Sequence, residues 1–359
     1  MYNIVTSICV DTDANGAAIE YPTLGEASSN KREIYWKCVF TFCVTSLRFN
    51  PDKTHFVFTN DKEEVIINGN PIRKSLEEIG VKIKVVKFDT FDPGKYSLSF
   101  RNAFYKLQTI NSLSKLSKPS ILLDSDCVWS RADEDLDFLM SSGNHVLLQD
   151  TYRRSHTPHL SEPHNLSMAD MGRLYSKIPV GKLVNEFPVW YGGELIGAAP
   201  KHFQQIASRI EQTLAYLKEQ IDLGEEFKFS NGHSIMSNEE YLSSYGYNTI
   251  DLPIYDTYLK FSKRIWTMES PNNVSKEDLD IPIWHLPVEK LTGICTLFDH
   301  INKRGINKWN SSHLKDFPLY LGGLMGIPKR RVSPYKKLTL EVKKQVFPLV
   351  RRFRPSSIK

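Results

Sequence analysis

The 359-residue sequence lacks the features that mark several large classes of protein. No apolar run approaches the ~18 residues that a membrane span needs, so we expect a chain that meets any membrane from outside. The five cysteines are odd in number and lack the spacing of a zinc site or the density of a disulfide scaffold, which favours a reducing compartment. The first ten residues contain no basic segment and read as a strand, so we expect no signal peptide and a cytoplasmic location.

Basic and acidic residues are nearly balanced except at the C-terminus. The net charge is +5, and residues 329–359 contain eleven basic residues against one acid, Glu341. The rest of the chain is close to neutral, which argues against a nucleic-acid-binding protein. Residues 327–359 therefore form a predicted basic tail. Its mixture of apolar and basic residues over 338–353 predicts peripheral contact with an anionic membrane, on the inner face, or else a solvated, loosely packed tail.

Alternating strand and helix patterns predict an α/β protein with a mostly parallel sheet flanked by helices. With 41% hydrophobic and 24% charged residues, the composition is that of a globular chain. The predicted strands cover 3–10, 55–59, 81–88, 120–123 and 248–254. The predicted helices cover 34–47, 71–79, 100–116, 168–176, 201–223, 239–244 and 290–303, with Ser97 or Ser99 as the cap of the third. We expect the sheet's centre near Leu123, and an insertion over the rim of the sheet at 151–189.

Two aspartates, Asp124 and Asp126, follow the apolar strand that ends at Leu123. Open α/β sheets bind ligands at the carboxyl ends of their strands. Close carboxylates repel each other unless a cation compensates them, and Mg²⁺ or Mn²⁺ prefers such oxygens together with substrate phosphates. The pattern therefore suits a metal–diphosphate site. The alternative is a solvated turn before a helix capped near Asp133.

The segment Leu-Asp-Ser-Asp-Cys-Val, residues 123–128, resembles the DXD motif of GT-A glycosyltransferases. This resemblance implies a GT-A (Rossmann-like) fold over 1–326, with a nucleotide-sugar-binding half at 1–130 and an acceptor half at 131–326. It also implies a UDP-sugar donor whose diphosphate is held by Mn²⁺ or Mg²⁺. Ser125 would lie beside the donor, and we also place Thr6 of the first strand among the donor-binding residues.

Three further residues resemble parts of the glycogenin-like family. Lys106, in Asn-Ala-Phe-Tyr-Lys-Leu at 102–107, matches a cation near the donor, although it could be a solvated helix lysine. His285 and Lys290 match a late histidine that completes the metal site with Asp124 and Asp126, and a lysine that contacts the diphosphate. The glycine and the Lys-Pro-Trp ending of that family are absent here. His285 alone could be a core or surface histidine.

The segment Trp-Tyr-Gly-Gly-Glu, residues 190–194, precedes an apolar strand. Glycine lets backbone approach a bound group closely. The segment is similar to the aromatic-Gly-Gly of the blood-group A/B transferase family, which implies that Tyr191, Gly192 and Gly193 line the donor sugar. Glu194 is a candidate catalytic acid by similarity to the Gly-Gly-Glu of β-1,4-galactosyltransferases. The alternative is a β-bulge without a ligand.

Two acids near a predicted helix start are the main catalytic candidates. The segment Ser-Asn-Glu-Glu-Tyr-Leu, residues 237–242, resembles the Asp-Glu-x-x-Leu of the blood-group transferases, which places Glu239 or Glu240 beneath the donor's anomeric carbon. A capping box after Ser237 would explain the same acids without any function.

These observations predict a metal-dependent glycosyltransferase that moves a sugar from a UDP-sugar to a glycan or lipid-linked acceptor. The resemblance favours retention of the anomeric configuration. One alternative is a nucleotidyltransferase that uses the paired aspartates around a magnesium–triphosphate, although the sequence has no glycine-rich phosphate loop. A non-catalytic sugar-binding protein of the same fold is the other alternative.

Overall fold

A computed structural model describes residues 1–10, 30–97, 100–151, 158–159, 165–269, 271–312 and 316–327. Most of its strands belong to one seven-stranded sheet in the order β10-β8-β9-β6-β1-β2-β5. The strands are β1 (Asn3–Ile8), β2 (Thr54–Thr59), β3 (Ile66–Ile67), β4 (Asn70–Pro71), β5 (Lys82–Val85), β6 (Ser120–Leu123), β7 (Cys127–Trp129), β8 (Val146–Asp150), β9 (Tyr191–Ala198), β10 (Ile254–Asp256), β11 (Ser262–Arg264) and β12 (Ile283–His285).

The main sheet is mixed and mostly parallel. Strands β6, β1, β2 and β5 run parallel to one another, as do β8 and β10. Only β9 is antiparallel to its two neighbours, β6 and β8. Strand β6 occupies the central position, and all four of its residues are buried. The predicted α/β class and the predicted centre near Leu123 are therefore confirmed.

Helices cover both faces of the sheet because the buried strands carry apolar side chains on both sides. On β6, Ile121 and Leu123 pack into one apolar cluster and Leu122 into the other. The helices are α1 (Lys31–Phe49), α2 (Ile72–Glu78), α3 (Tyr105–Leu113), α4 (Glu134–Ser142), α5 (Met168–Tyr175), α6 (Pro200–Asp222), α7 (Glu239–Asn248), α8 (Gly293–Arg304), α9 (Ile306–Asn310) and α10 (Phe317–Met325). Helices α1, α2, α8, α9 and α10 contribute to the first cluster, and α3, α5, α6 and α7 contribute to the second.

A second, three-stranded sheet stands beyond the end of β6. Strand β12 pairs with β11 in parallel and with β7 antiparallel. Its register places His285 opposite Cys127, one residue after Asp126. This small sheet therefore carries residues that are far apart in the chain to the carboxyl edge of the main sheet.

Several element boundaries differ from the predicted ones. The predicted strand 248–254 is wrong, because α7 continues to Asn248 and β10 begins only at Ile254. Every residue of α7 is buried, so tertiary packing holds its aromatic, strand-favouring residues in a helix. The predicted helix 100–116 is a 3₁₀ turn at Arg101–Phe104 followed by α3, without a side-chain cap on α3. The predicted helix 290–303 begins three residues late, at Gly293, whose N–H donates to Glu289.

Parts of the predictions lie outside the described residues. Of the predicted basic tail, 327–359, only Ile327 is described. Residues 152–157 and 160–164, most of the first half of the predicted insertion, are also outside. The helix predicted at 168–176 is present as α5, with a capping box at Ser167. No helix in the described part of the chain is long and apolar enough to cross a membrane. All five cysteines are free thiols.

Candidate active site

Asp124 and Asp126 lie in a tight turn between β6 and β7. The N–H of Cys127 donates to the Asp124 carbonyl at 3.0 Å, which closes the turn. The Asp126 side chain is nearly inaccessible, with the residue 3% exposed, whereas Asp124 is partly buried. A solvated turn is therefore not what the chain forms here. The cap near Asp133 exists separately, at the start of α4.

His285 faces both aspartates. Its Nε2 lies 3.6 Å from Asp124 Oδ2 and 3.3 Å from Asp126 Oδ1. One potential ligand atom from each of the three residues lies within 4.8 Å of the others. The second ring nitrogen, Nδ1, is buried and has no hydrogen-bond partner among the described residues, so no neighbour there fixes the tautomer.

Each aspartate uses one oxygen for a lysine and directs the other toward His285. Lys106 Nζ lies 2.7 Å from Asp124 Oδ1, and Lys290 Nζ pairs with Asp126 Oδ2. The remaining oxygens, Asp124 Oδ2 and Asp126 Oδ1, are those nearest His285 Nε2. Two carboxylate oxygens and one imidazole nitrogen are a donor set that fits Mn²⁺ or Mg²⁺ with open positions for phosphate oxygens.

The charges of this cluster stabilise one another. Burial alone raises the pKa of the Asp126 carboxyl, but Lys290 and His285 hold that pKa well below its usual range. Burial lowers the pKa of Lys106, yet Asp124 and Glu239 more than offset this effect and leave its pKa above the ordinary value. Asp126 is therefore a carboxylate and Lys106 an ammonium at neutral pH.

The glycines of β9 make room for Lys106. Lys106 Nζ donates to the Gly193 carbonyl at 3.0 Å, and a Cβ on Gly193 would stand 2.6 Å from that Nζ. The β8–β9 pairing changes register here, since Gln149 is opposite Gly192 but Leu148 is opposite Ile196. A β-bulge is thus present, as the alternative interpretation expected, and it lies beside the cluster.

Glu239 and Glu240 begin α7 and both point toward the cluster. Asn238, not Ser237, caps the helix, with its Oδ1 accepting from the Glu240 N–H at 3.0 Å. The predicted capping box after Ser237 is therefore wrong. Glu239 Oε1 lies 3.4 Å from Lys106 Nζ, and Glu240 Oε1 accepts from the Gly193 N–H at 3.0 Å.

Arg264, at the end of β11, links two acids that the sequence suggested separately. Its Nη2 lies 2.7 Å from Glu194 Oε2 and 3.1 Å from Glu240 Oε1. Glu194 is buried and also accepts a hydrogen bond from Gln149 Nε2. Both Glu194 oxygens are thus engaged and the side chain supports Arg264 in this structure, while its role as a catalytic acid stays a prediction.

The two neighbouring glutamates have opposite pKa shifts. Burial, together with Glu240 and Asp124, raises the pKa of Glu239 to about 7 despite the opposing charge of Lys106. Burial also acts on Glu240, but Arg264 and the Gly193 N–H lower its pKa below the ordinary value. One carboxyl can therefore exchange a proton near neutral pH while its neighbour stays ionised.

These side chains surround a cavity of about 460 Å³. Its lining includes most of the predicted polar residues, namely Lys106, Asp124, Ser125, Asp126, Glu239, Glu240, His285 and Lys290. Thr6 and Tyr191 are not among the lining residues. Thr6 is buried within β1 and donates to the Leu123 carbonyl at 2.9 Å, and Tyr191 packs on Tyr247.

The cavity also has lining residues that sequence reasoning missed. They include Ser7 near the end of β1, Cys9 just after it, Tyr35 on α1, Asn102, Trp266 and Arg264. The position of Ser7 and Cys9 at the carboxyl end of a predicted strand is a signal that favours them over Thr6. No local sequence pattern marks Arg264 as a site residue, because it lies in a short strand next to another basic residue, Lys263.

Comparison with known proteins yields no family model and no curated protein that matches. Two solved structures with some similarity are glycosyltransferases by name, the class that the sequence resembles. WbbM, a bifunctional glycosyltransferase in its apo form, matches 92% of this chain at 8% identity and a TM-score of 0.43. This chain spans about half of WbbM, 52% of its length. Mouse xyloside xylosyltransferase 1 matches 79% of this chain and 97% of its own at 10% identity and a TM-score of 0.42. Neither likeness assigns a role to any side chain.

Proposed function

We propose that this protein is a metal-dependent glycosyltransferase that moves a sugar from a nucleoside diphosphate, UDP in the first instance, to an acceptor hydroxyl. One observation carries the proposal: the free oxygens of Asp124 and Asp126 converge on His285 Nε2. This convergence lies on the wall of a cavity that also holds two lysines and two acids. The two aspartates and His285 would serve the diphosphate by holding its metal ion. The two lysines and two acids would serve the transfer of the sugar.

The charge of the site supports a divalent cation. Five carboxyl groups, those of Asp124, Asp126, Glu194, Glu239 and Glu240, are connected through ion pairs to three cationic side chains, those of Lys106, Arg264 and Lys290. With all five acids ionised and His285 neutral, this leaves an excess of two negative charges. A bound Mn²⁺ or Mg²⁺ would neutralise the excess and polarise the phosphate oxygens of the donor.

The chain's own residues then divide the work of the transfer. The bond between the anomeric carbon and the diphosphate oxygen breaks, and the electron pair stays on the diphosphate, whose growing charge Lys106 and Lys290 stabilise. Glu240, held as a carboxylate by Arg264, stabilises positive charge on the sugar. The acceptor oxygen bonds to the anomeric carbon, and Glu239 accepts its proton. We keep retention as the stereochemical outcome of the proposal, since the sequence resemblance favours it, and retention requires the acceptor oxygen to approach the anomeric carbon from the face that the diphosphate leaves.

Calorimetric titration with UDP, with and without Mn²⁺, tests the proposal. We expect Mn²⁺ to strengthen UDP binding to the wild-type chain, because metal and diphosphate share the site. In Asp126→Asn this strengthening should fall by about ten-fold or more, since loss of groups at a metal site commonly costs that much. The matched control is Asp135→Asn, an exposed aspartate on α4, which should behave as wild type.

A panel of nucleotide-sugars then identifies the donor through release of nucleoside diphosphate. UDP binding that ignores Mn²⁺, or that is the same in Asp126→Asn, would contradict the metal assignment. Release of pyrophosphate from a nucleoside triphosphate, with no turnover of any nucleotide-sugar, would instead identify a nucleotidyltransferase.

A further inference from the structure

A second cavity, of about 570 Å³, opens beside the first. Arg264 and Trp266 line both cavities, so the two share a wall. Glu194, on the far side of Arg264, faces only the second one. An acceptor has to reach the donor sugar without displacing the nucleotide, and a neighbouring cavity with a common wall provides that route.

The shared wall is held firmly by Asn273. Its Oδ1 accepts from the Trp266 N–H at 2.7 Å, and its Nδ2 donates to the Arg264 carbonyl at 2.8 Å. The segment that separates the cavities is thus clamped on both sides of Ile265. A fixed wall positions a bound group without the cost of ordering it first.

Three aromatic residues line the second cavity. Trp190, Tyr258 and Trp266 all line it, and Trp190 is held in place by Tyr241, with ring centroids 5.1 Å apart. Aromatic rings present an apolar face that can pack against the C–H face of a sugar ring, while their polar edges accept hydrogen bonds from or donate them to hydroxyls. Gln149 and Thr151 add further polar groups.

The rim of the second cavity is strained and partly apolar. Leu259 has a φ of 56° and is 41% exposed, although leucine rarely adopts the left-handed region. The turn that imposes this conformation is closed by the Lys260 N–H, which donates to the Thr257 carbonyl at 3.0 Å. Strain of this kind is retained mainly where it serves a site, and here it places Tyr258 and Leu259 at the opening.

The charged groups of the second cavity nearly cancel. Glu194 pairs with Arg264 at 2.7 Å, and Lys263 pairs with Asp278. Glu277, an exposed residue, is the remaining charged residue of the lining. An anionic ligand would meet no uncompensated cation here and would face the carboxylate of Glu277, so an uncharged ligand is favoured.

We infer that the second cavity binds the acceptor, and that the acceptor ends in an uncharged sugar whose ring lies against Tyr258 and Trp266. This inference rests on the proposed function, since it takes the first cavity as the donor site. It assigns the acceptor's chemical class: a neutral, hydroxyl-rich saccharide end, as opposed to a uronic or sialic acid.

Saturation-transfer NMR tests the inference on the full chain loaded with UDP and Mn²⁺. The probes are the methyl glycosides of glucose, galactose and N-acetylglucosamine, together with the charged methyl glucuronide. At least one neutral glycoside should bind, and more tightly than the glucuronide. In Tyr258→Ala its affinity should fall by about ten-fold, the loss expected for one aromatic contact. UDP affinity, measured on the same sample, should not change.

The matched control is Tyr216→Ala, a partly buried tyrosine on α6 that packs on Phe227 and lines neither cavity. It should bind glycosides as the wild type does. Loss of UDP binding in Tyr258→Ala would indicate a variant that fails to fold. In that case the test uses Leu259→Trp, at the exposed rim, which should also weaken glycoside binding. The inference is overturned if UDP binds but no neutral glycoside does, if the glucuronide binds best, or if the folded variants bind glycosides unchanged. Failure of UDP itself to bind would overturn the proposed function instead.

Discussion

Glu239 and Glu240 are adjacent in the chain but face different partners. Glu240 is fixed by Arg264 and the Gly193 N–H, whereas Glu239 has Lys106 at 3.4 Å. The pKa of Glu239 is raised to about 7 by burial, and that of Glu240 is lowered by Arg264. Only Glu239 therefore changes its charge within the neutral range, which makes it the better proton acceptor of the two.

The rate of donor turnover should consequently depend on the ionisation of Glu239. Because the carboxylate form accepts the proton, the rate should rise about ten-fold per pH unit below pH 7 and level off above it. In Glu239→Gln the rate should fall by about a hundred-fold and lose this pH limb. Initial rates of nucleoside diphosphate release from pH 5 to 9 measure both effects.

Glu134→Gln, an exposed glutamate on α4, is the control for that measurement and should keep the wild-type profile. An unchanged limb in Glu239→Gln would assign the proton transfer to another group. UDP affinity should be similar in both variants, because neither residue contacts the aspartates that hold the metal in our proposal.

At the residue level, the site was predictable where its signals are local. An Asp-x-Asp pair after an apolar strand is readable from six residues, and the family resemblance extends it to Lys106, His285 and Lys290. The structure brings these residues together around one cavity. Arg264 was not predictable, because an arginine in a short polar strand says nothing about which acids it will meet. The motif at 190–194 identified Glu194 as a candidate acid, but its ion pair with Arg264 could not be predicted from that motif.

At the level of elements, strand β9 leaves space for the ammonium group of Lys106 at Gly193. The Cβ of an alanine at position 193 would displace Lys106 Nζ, which is the mobile end of a long side chain. The fold can accommodate that displacement, and we expect it to weaken the ion pair between Lys106 and Asp124. Gly172 differs, because a Cβ there would lie 2.5 Å from the Glu186 carbonyl oxygen, which is backbone and cannot move away.

Gly193→Ala should therefore impair binding more than stability. We expect UDP–Mn²⁺ affinity to fall by about ten-fold, since a hydrogen bond to a charged group is worth ~1.5–3 kcal/mol, and the free energy of unfolding to change by less than about 1 kcal/mol. Gly172→Ala should show the opposite pattern, a clear loss of stability with UDP affinity retained in the folded fraction. Urea unfolding and calorimetry of the two variants provide the comparison. Equal losses of stability in both would refute the explanation.

Helix and strand identity was predictable where the apolar pattern is strong, as for β6, α5 and α6. At α7 the predicted helix 239–244 is confirmed, but its continuation to Asn248 was not predictable, because Tyr245 and Tyr247 favour a strand locally and are nevertheless buried in the helix. Packing of α7 on α6 and β9 outweighs that preference. The bulge in β9 likewise depends on its partner β8, which lies about forty residues earlier in the chain.

At the scale of the whole molecule, strands from both predicted halves complete one sheet. Strand β9 of the second half pairs with β6 of the first, and both apolar clusters contain residues of both halves. The division at residue 130 therefore describes possible roles and stays a prediction. The free energy of unfolding therefore belongs to this shared core, and it should depend on pH through His55, a buried residue of β2.

His55 is 1% exposed, and its Nε2 lies 2.8 Å from Ser46 Oγ. Burial lowers its pKa from 6.5 to about 4. Between those values the unfolded chain binds more protons than the folded one, so stability falls as the pH drops from about 6.5 toward 4. From pH 7 to pH 5 this residue alone should cost about 2 kcal/mol.

Urea unfolding at pH 7 and pH 5 measures that loss. The change in unfolding free energy should be smaller by about 2 kcal/mol in His55→Gln than in the wild type. His233→Gln, at an exposed position, is the control and should keep the wild-type difference. Identical pH differences in His55→Gln and wild type would show that His55 is protonated without cost in the folded chain.

The sequence by itself determined the class of the fold, the central strand and the acids at its end, because apolar periodicity and a short polar motif act over a few neighbouring residues. Only the tertiary structure decided which charges meet. Lys290 lies 164 positions from Asp126, Glu239 lies 133 from Lys106, and Arg264 lies 70 from Glu194. Ion pairs between buried groups depend on distance in space and on the exclusion of water, and neither is set until the small sheet folds over the carboxyl edge of the large one.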